Sequence, residues 1–199
     1  MNRAAVDVSA LPSFAFGHRS ILWWATLGMC LIEATGFALI VASYVFLKWR
    51  VPDWPPGVAP PDWQWGTATT MLVLVSIVPN ELTKRAAEAL DIVRTRFWLS
   101  ICVVLGLAFC VTRALEFTAL NCRWDTNAYG SIVWTLLALH TVHVVTDLID
   151  TIVLGVMLFA TSLDANRLVD VSENAFYWYF VVLSWLPIYA VIYLAPRIV

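Results

Sequence analysis

The sequence predicts an all-α, polytopic membrane protein, a five-transmembrane-helix bundle that forms a single membrane domain over residues 1–199. Of its residues, 61% are hydrophobic and only 13% are charged, whereas soluble domains average roughly half apolar and a quarter charged residues. The mean hydropathy is +0.78. A soluble fold of this size could not cover so much apolar surface, but a lipid bilayer can. The 11 Trp and 6 Tyr residues also fit a membrane protein, because their amphipathic rings collect at the hydrocarbon boundary.

Five segments are long enough to cross about 30 Å of hydrocarbon. We expect helices at approximately 21–47, 65–90, 97–117, 130–162 and 175–194. Helices are required because lipid offers no partner for unpaired backbone groups. The second segment is the weakest, since its apolar part ends near Val78 and is rich in threonine; we expect its helix to continue past Pro79.

The connecting segments agree with this division. Residues 52–61 contain five prolines and one glycine, which exclude a regular helix. Residues 81–96 are charged and amphipathic, residues 121–127 are polar and short, and residues 162–173 are expected to form a charged loop. The first twenty residues contain no apolar core of a cleavable signal, so the first long apolar segment is expected to be a retained helix.

The distribution of basic residues predicts the orientation. The first side carries Arg3, Arg19, Lys84, Arg85, Arg94, Arg96 and Arg167, and the opposite side carries Lys48, Arg50, Arg123 and Arg197. By the positive-inside rule we expect the N-terminus in the cytoplasm and the C-terminus outside, which is the periplasm if the membrane is a bacterial inner (cytoplasmic) membrane, as the resemblance described below implies.

Composition also argues against several classes of function. The formal net charge of -2 provides no basic patch, so no nucleic-acid partner is expected. The four cysteines form no CxxC, CxxCH or zinc-spaced motif, which argues against a disulfide framework, an attached heme or a structural zinc. We expect no cofactor and no catalytic residue in this chain, because the sequence has no nucleophile–base, phosphate-binding or redox-cofactor motif.

Ionisable residues within apolar spans are costly and mark candidate functional sites. Arg113 and Glu116 are three residues apart, can pair on one helix face, and lie near the outer helix end, where the side chains can extend to the interface. Glu33 stands near the middle of the first span, where it must be protonated or paired with another helix. It could relay protons, hold a lipid-facing cleft open or serve only in packing.

The fourth span carries a stripe of four ionisable residues, His140, His143, Asp147 and Asp150. At about 100° per residue they occupy a stripe roughly 80° wide, which we expect to face protein or a cavity. Three interpretations remain open: a hydrogen-bonded seam between helices, a proton or ion path, and a metal site that would need ligands from a second helix.

Five motifs, in order along residues 20–195, resemble subunit III of the cytochrome c and quinol oxidases. Trp24, Glu33 and Tyr44 keep the spacing of that family's buried glutamate helix. The stretch ELTKRAAEALD is similar to the charged end of the family's next helix. RALEF, which contains Arg113 and Glu116, resembles the QxxEW or QxxEY element.

The last two motifs are longer. NAYGSIVWTLLALHTVHV, at 127–144, resembles NxYGSxFFxxTGxHGxHV, with His140 and His143 in the two histidine places. FYWYFVVLSWLPIYAVIYL resembles the closing YWHFVDxVW helix. The chain departs from the family pattern at five positions. Arg113 replaces Gln, Thr141 and Asp147 each replace Gly, Tyr179 replaces His, and Val182 replaces Asp.

The resemblance implies a divergent, five-helix bacterial form of a heme-copper oxidase subunit III. Such a subunit carries no heme or copper, which belong to partner subunits. It packs against subunit I, in a complex that also holds subunit II, binds phospholipid in an interhelical cleft, and supports proton uptake during oxygen reduction. It also implies that Glu33 is the buried cleft carboxylate and that His140 and His143 are structural. Two alternatives are an accessory subunit of a nitric oxide reductase and an independent proton or ion carrier that uses the stripe.

Overall fold

A computed structural model describes residues 14–160 and 165–198. Over these residues the chain is helical and has no strand, which confirms the predicted all-α class. The five long helices are α1 (Ile21–Arg50), α2 (Trp63–Glu88), α3 (Ile92–Thr118), α4 (Ala128–Ala160) and α5 (Ala165–Tyr189). A π-helical turn, Ala190–Leu194, and a 3-10 turn, Ala195–Arg197, continue α5 without a break.

Within residues 14–160 and 165–198, four helical segments are long and apolar enough to cross a membrane: α1, α3, α4, and α5 together with its continuation to Arg197. The protein is therefore a multi-pass membrane protein. The second helix, α2, is not one of these four, so the five-span count and the orientation of the termini stay predictions. The side chains of Ile21 and Trp49 are 86% and 85% exposed on the surface of α1, as suits a helix that lipid surrounds.

The junction between α2 and α3 is set by local structure within the charged segment 81–96. Helix α2 ends at Glu88, and Leu90 follows with a positive φ of 56°. Asp91 then caps α3, because its Oδ1 accepts a hydrogen bond of 3.0 Å from the backbone N–H of Arg94. The proline-rich segment predicted to be non-helical contains no helix.

The prediction of a loop over residues 162–173 was wrong, because α5 begins at Ala165; residues 161–164 lie outside the described residues. The cause is apolar patterning within the charged stretch. Leu168, Val169 and Val171 are buried, and Leu168 and Val171 pack with residues of α3 and α4. Charged residues on the opposite face do not end a helix whose inner face is apolar.

The helices do not pack equally. Helix α2 packs against α3 and α5, and α4 packs against the same two helices. Helix α1 lies at the edge of the bundle against α4 and α5. Its only buried residues, Cys30, Phe37 and Tyr44, are spaced seven residues apart, which corresponds to two helical turns. This single line of contact leaves most of α1 without a protein neighbour.

Candidate functional site: two polar clusters in the bundle

The first polar cluster surrounds the ion pair of α3. Arg113 Nη1 donates to Glu116 Oε2 at 2.8 Å, and both side chains are only 1% exposed. The guanidinium also lies 4.2 Å from the ring centroid of Trp185 and 5.0 Å from that of Phe109. An opposite charge and two aromatic faces therefore replace the water that the Arg113 charge loses on burial.

The expected pairing of Arg113 with Glu116 is present, but the prediction that these side chains reach the membrane interface was wrong. Neither side chain extends outward, because both take part in contacts with three other helical segments. Sequence spacing located the pair on α3 but did not indicate what the pair faces.

His140 joins this cluster from α4. Arg113 Nη2 lies 3.2 Å from His140 Nδ1, and a guanidinium can only donate, so Nδ1 is the acceptor. His140 Nε2 lies 3.1 Å from the carbonyl oxygen of Val181 and donates to it. The two contacts fix a neutral imidazole with its proton on Nε2. This ring has no free nitrogen for a metal ion or for proton transfer.

The carboxylate of Glu116 receives two further hydrogen bonds. Thr69 Oγ1 of α2 donates to Oε2 at 3.1 Å, and the hydroxyl of Tyr193 donates to Oε1. Gly66 of α2 makes room for this tyrosine, since a Cβ there would lie 2.5 Å from the Tyr193 ring. We call Thr69, Arg113, Glu116, His140 and Tyr193 the Arg113 network.

The second polar cluster lies where α1 meets α4 and α5. Glu33 Oε2 accepts a 2.8 Å hydrogen bond from the Tyr177 hydroxyl, so Glu33 is paired with another helix as expected. Glu33 Oε1 is 3.6 Å from His143 Nε2. The side chains of Glu33 and His143 keep 24% and 13% exposure. We call Glu33, His143 and Tyr177 the Glu33 cluster.

His143 has only one nitrogen free for Glu33. Its Nδ1 lies 2.7 Å from the backbone carbonyl of Leu139 and must donate to it. A neutral His143 therefore presents a lone pair, not a proton, to Glu33. The contact is favourable only when one proton is added to the pair, on the imidazole or on the carboxyl. This cluster can thus hold a proton, unlike His140 in the Arg113 network.

The four ionisable residues of α4 do not share one environment. His140 faces the Arg113 network and His143 faces Glu33. Asp147 is 5% exposed and its Oδ1 accepts a 3.1 Å hydrogen bond from Asn174 Nδ2, whereas Asp150 is exposed and lies 3.4 Å from the same nitrogen. The predicted stripe therefore divides among the Arg113 network, the Glu33 cluster and the surroundings of Asn174, which weakens its interpretation as one continuous relay.

No group of three His, Cys, Asp or Glu side chains is placed to hold a metal ion within residues 14–160 and 165–198. The two predicted histidines of the stripe point to different neighbours. Glu33 of α1 lies beside His143, but no third ligand joins that pair within the described residues. The metal interpretation of the stripe therefore has no support in the described part of the chain.

Two open grooves flank α1. The acidic groove, of about 570 Å³, runs between α1, α4 and α5 and contains five carboxyl-bearing residues, Glu33, Asp147, Asp150, Asp170 and Glu173. The apolar groove, of about 530 Å³, lies between α1 and α5 beside Ala34, Phe37, Ala38, Ala42, Phe180 and Pro187. The line of contact around Glu33 and Phe37 lies where the two grooves approach each other.

Sequence reasoning missed three polar partners: Thr69, Asn174 and Tyr193. From the sequence, the threonines of α2 indicate only a weakly apolar span. In the structure, Thr69 and Thr70 face the bundle, and Thr70 Oγ1 accepts a 2.8 Å hydrogen bond from Trp185 Nε1. A cluster of hydroxyls in a marginally apolar helix is the signal that could have identified this polar face. Nothing in the sequence indicates that Asn174 contacts Asp147.

Comparison with known proteins gives a consistent result. A family model described as "Cytochrome c oxidase subunit III" matches residues 70–196. A probable cytochrome c oxidase subunit 3 from Mycobacterium tuberculosis is 30% identical over 165 residues, 81% of each chain. Cytochrome c oxidase subunit 3 of Alkalihalophilus pseudofirmus is 27% identical, also over 81% of each chain. The Bacillus sp. (strain PS3) protein of that name is 25% identical over 86% of this chain and 83% of its own.

Proposed function

The chain belongs to the cytochrome c oxidase subunit III family, and from this premise we propose that it is a non-catalytic subunit of a respiratory terminal oxidase. In this role it stabilises the catalytic subunit I, in a complex that also holds subunit II. It binds phospholipid in the grooves along α1 and supports proton uptake during oxygen reduction. Heme and copper belong to the partner subunits of the bacterial inner-membrane complex.

The observation that carries the lipid part of the proposal is the loose packing of α1. This helix buries three residues and borders two grooves. Ala34, Ala38 and Ala42 form a small-residue wall of the apolar groove. An acyl chain would cover this wall without displacing a protein side chain, and burial of apolar surface in a preformed groove favours such a ligand.

The Arg113 network supports a structural rather than a catalytic role for the bundle core. Its charged and polar groups bond to one another across α2, α3, α4 and the turn after α5. Arg113 Nε has no hydrogen-bond partner within the described residues, but the remaining bonds connect four helical segments. A network connected in this way rigidifies the bundle and offers no reactive group to a substrate.

Purification from native membranes tests the assignment to an oxidase. We expect the affinity-tagged chain, extracted in mild detergent, to bring with it a heme-containing large subunit and oxygen consumption. Isolation of the chain without any heme subunit would contradict the proposal. A complex that consumes nitric oxide but not oxygen would instead identify an accessory subunit of a nitric oxide reductase.

The lipid site has its own test. Ala38→Leu should fill the apolar groove, whereas Ala25→Leu, at an exposed position of the same helix that lines neither groove, is the matched control. Native mass spectrometry of the purified complex should show loss of retained phospholipid only in Ala38→Leu. Equal retention in both variants would exclude the groove as the lipid site.

A further inference from the structure

A small cavity with both polar and apolar lining lies between α2, α3, α4 and α5. About 20 Å³ of it is accessible to the centre of a water molecule, and a buried water needs about 10–15 Å³ and two to four polar partners. The polar lining residues are Ser76, Asn80, Thr83, Cys102, Asp147, Thr151 and Asn174. The cavity therefore has both the room and the hydrogen-bonding groups for an ordered water.

Two residues, Asp147 and Asn174, line both this cavity and the acidic groove. Asn174 Nδ2 donates to Asp147 Oδ1 at 3.1 Å, and Asn174 Oδ1 accepts from Thr151 Oγ1 at 3.0 Å. These bonds hold the Asp147 carboxyl in the wall between the two spaces. Among the described residues, only this carboxyl lines both the internal cavity on one side and the open groove on the other.

We propose that Asp147 is a proton-storage site, which exchanges protons with the acidic groove and is hydrated from the internal cavity. In the exchange, a protonated groove carboxyl or a hydronium ion gives its proton to a carboxylate oxygen of Asp147. One O–H bond breaks and another forms, and Asp147 becomes neutral. The proton leaves by the reverse step.

The cavity side explains why the site stores protons rather than conducts them. Among the described lining residues, the cavity has no second carboxyl and no imidazole, and its only other titratable group is the thiol of Cys102 on α3. A proton on Asp147 therefore has no onward acceptor in the cavity. Because the helices pack closely beside it, at Gly106 against Leu148, the cavity has no room to extend in that direction.

The groove side supplies the protons. The titratable groups that face Asp147 there are Glu33 of α1, Asp150 of α4, and Asp170, Glu173 and Tyr177 of α5, with His143 of α4 beyond Glu33. From α2 only the uncharged Ser76, Asn80 and Thr83 face the cavity. No lysine or arginine lines either space in the part of the chain that the structure describes, so no fixed cation competes with a proton for Asp147.

Glu173 is a further buried carboxyl of the acidic groove. It is 4% exposed, and neither carboxylate oxygen has a hydrogen-bond partner within the described residues. A buried carboxylate without a donor is costly, so a proton or a water is needed there too. Asp147 stands where the resembling family usually has glycine, so a carboxyl in this wall is a departure of this chain from the family pattern.

Infrared difference spectroscopy of the purified complex in nanodiscs, across a change of pH, tests the site. We expect a carboxylic-acid C=O band that shifts in D₂O, is lost in Asp147→Asn and persists in the matched control Asp150→Asn. Potentiometric titration should show one bound proton per chain fewer in Asp147→Asn. If Asp147→Asn does not assemble, Asp147→Gly, which introduces the glycine of the resembling family, replaces it.

Either of two outcomes would overturn the inference: the same band in Asp147→Asn as in the wild type, or an Asp147 band that D₂O does not shift. The use of stored protons by an oxidase rests on the proposed function, but the storage site itself does not. Absence of the band from the wild-type complex, with a heme subunit still bound, would overturn the inference alone. An intact band in a complex without heme would affect the proposed function alone.

Discussion

The Arg113 network and the Glu33 cluster contain similar side chains in opposite settings. Each has a glutamate that accepts a hydrogen bond from a tyrosine and stands near a histidine. Glu116 is 1% exposed and has three donors, whereas Glu33 is 24% exposed and has one. In the Arg113 network, Glu116 accepts its hydrogen bonds beside the Arg113 guanidinium. In the Glu33 cluster, Glu33 faces a His143 nitrogen that carries no proton when the imidazole is neutral.

The comparison indicates that helix packing, rather than residue type, determines which charged side chains in this bundle are fixed in the structure and which can exchange a proton. Helices α2 to α5 surround Arg113 on every side. Each polar partner in the network occupies a hydrogen-bonding atom of its neighbour, so that atom is not available for another function. Glu33 lies on α1, which contacts α4 and α5 along a single line of residues, so water, lipid or a proton can reach it.

Removing one charge of the Arg113 network should have the largest effect on stability. Arg113→Met leaves Glu116 as a buried, uncompensated carboxylate, and we expect a loss of about 3–5 kcal/mol of unfolding free energy. Titration with denaturing detergent, followed by circular dichroism of the purified protein, measures the change.

The control is Arg85→Met, since Arg85 pairs with Glu81 at a 72% exposed position. Exposed pairs contribute about 0–1 kcal/mol, so this variant should unfold close to the wild type. Equal losses in both variants would show that the Arg113 network is not the stabilising element described above.

The two tyrosines compare the regions through the same substitution. Tyr193→Phe leaves Glu116 Oε1 buried without its donor, at an expected cost of about 1–3 kcal/mol. Tyr177→Phe removes a similar bond to the half-buried Glu33, where water can replace it, and should cost about 0.6 kcal/mol. The same unfolding titration applies to both, and a larger effect at Tyr177 would reverse the proposed contrast.

Glycines test packing without changing a charge. Gly66→Ala places a Cβ 2.5 Å from the Tyr193 ring, and Gly106→Ala places one 2.6 Å from Leu148; we expect losses of about 1–2 kcal/mol from overpacking. Gly28 and Gly36 on α1 have no atom within 4 Å of an added Cβ. Alanine there should be neutral or stabilise by up to about 1 kcal/mol through helix propensity.

Thermal denaturation of the four alanine variants in one detergent gives the comparison directly. Destabilisation at Gly28 or Gly36 as large as at Gly66 would mean that α1 has close neighbours beyond the single line of contact seen here.

The sequence predicted the helical class, because apolar length and the absence of lipid hydrogen-bond partners leave few alternatives. It also predicted that Arg113 and Glu116 pair, since both lie on one face of one helix. It failed where the decisive neighbour is distant in sequence. Tyr193 is 77 residues from Glu116, and Asn174 is 27 residues from Asp147; helical periodicity contains no information on which helix a face will meet.

The division of the α4 stripe has the same origin. Periodicity placed His140, His143, Asp147 and Asp150 on one broad face, but that face is wide enough to meet α3 on one edge and α1 on the other. The charged stretch before α5 shows the converse error, because its charge suggested a loop while Leu168 and Val171 anchored a helix.

An ion pair outside both regions supplies the smallest expected effect. In the loop before α4, Arg123 donates two hydrogen bonds of 3.1 Å to the carboxylate of Asp125, in full contact with solvent. Hydrogen bonds from the Arg123 side chain, then a backbone hydrogen bond at Asp125, and then the charge of Arg123 lower the pKa of Asp125 below the ordinary value. A carboxyl with a lowered pKa adds stability above the unfolded-state pKa, and this contribution is lost as the pH falls through the folded-state pKa.

The variant Arg123→Gln should return the pKa of Asp125 to its ordinary value, which carboxyl ¹³C NMR would record. Because solvent screens an exposed pair, we expect no detectable change in stability at neutral pH. If Arg123→Gln destabilised the protein at neutral pH as much as Tyr193→Phe, exposure would not be what distinguishes weak from strong charge contacts in this bundle.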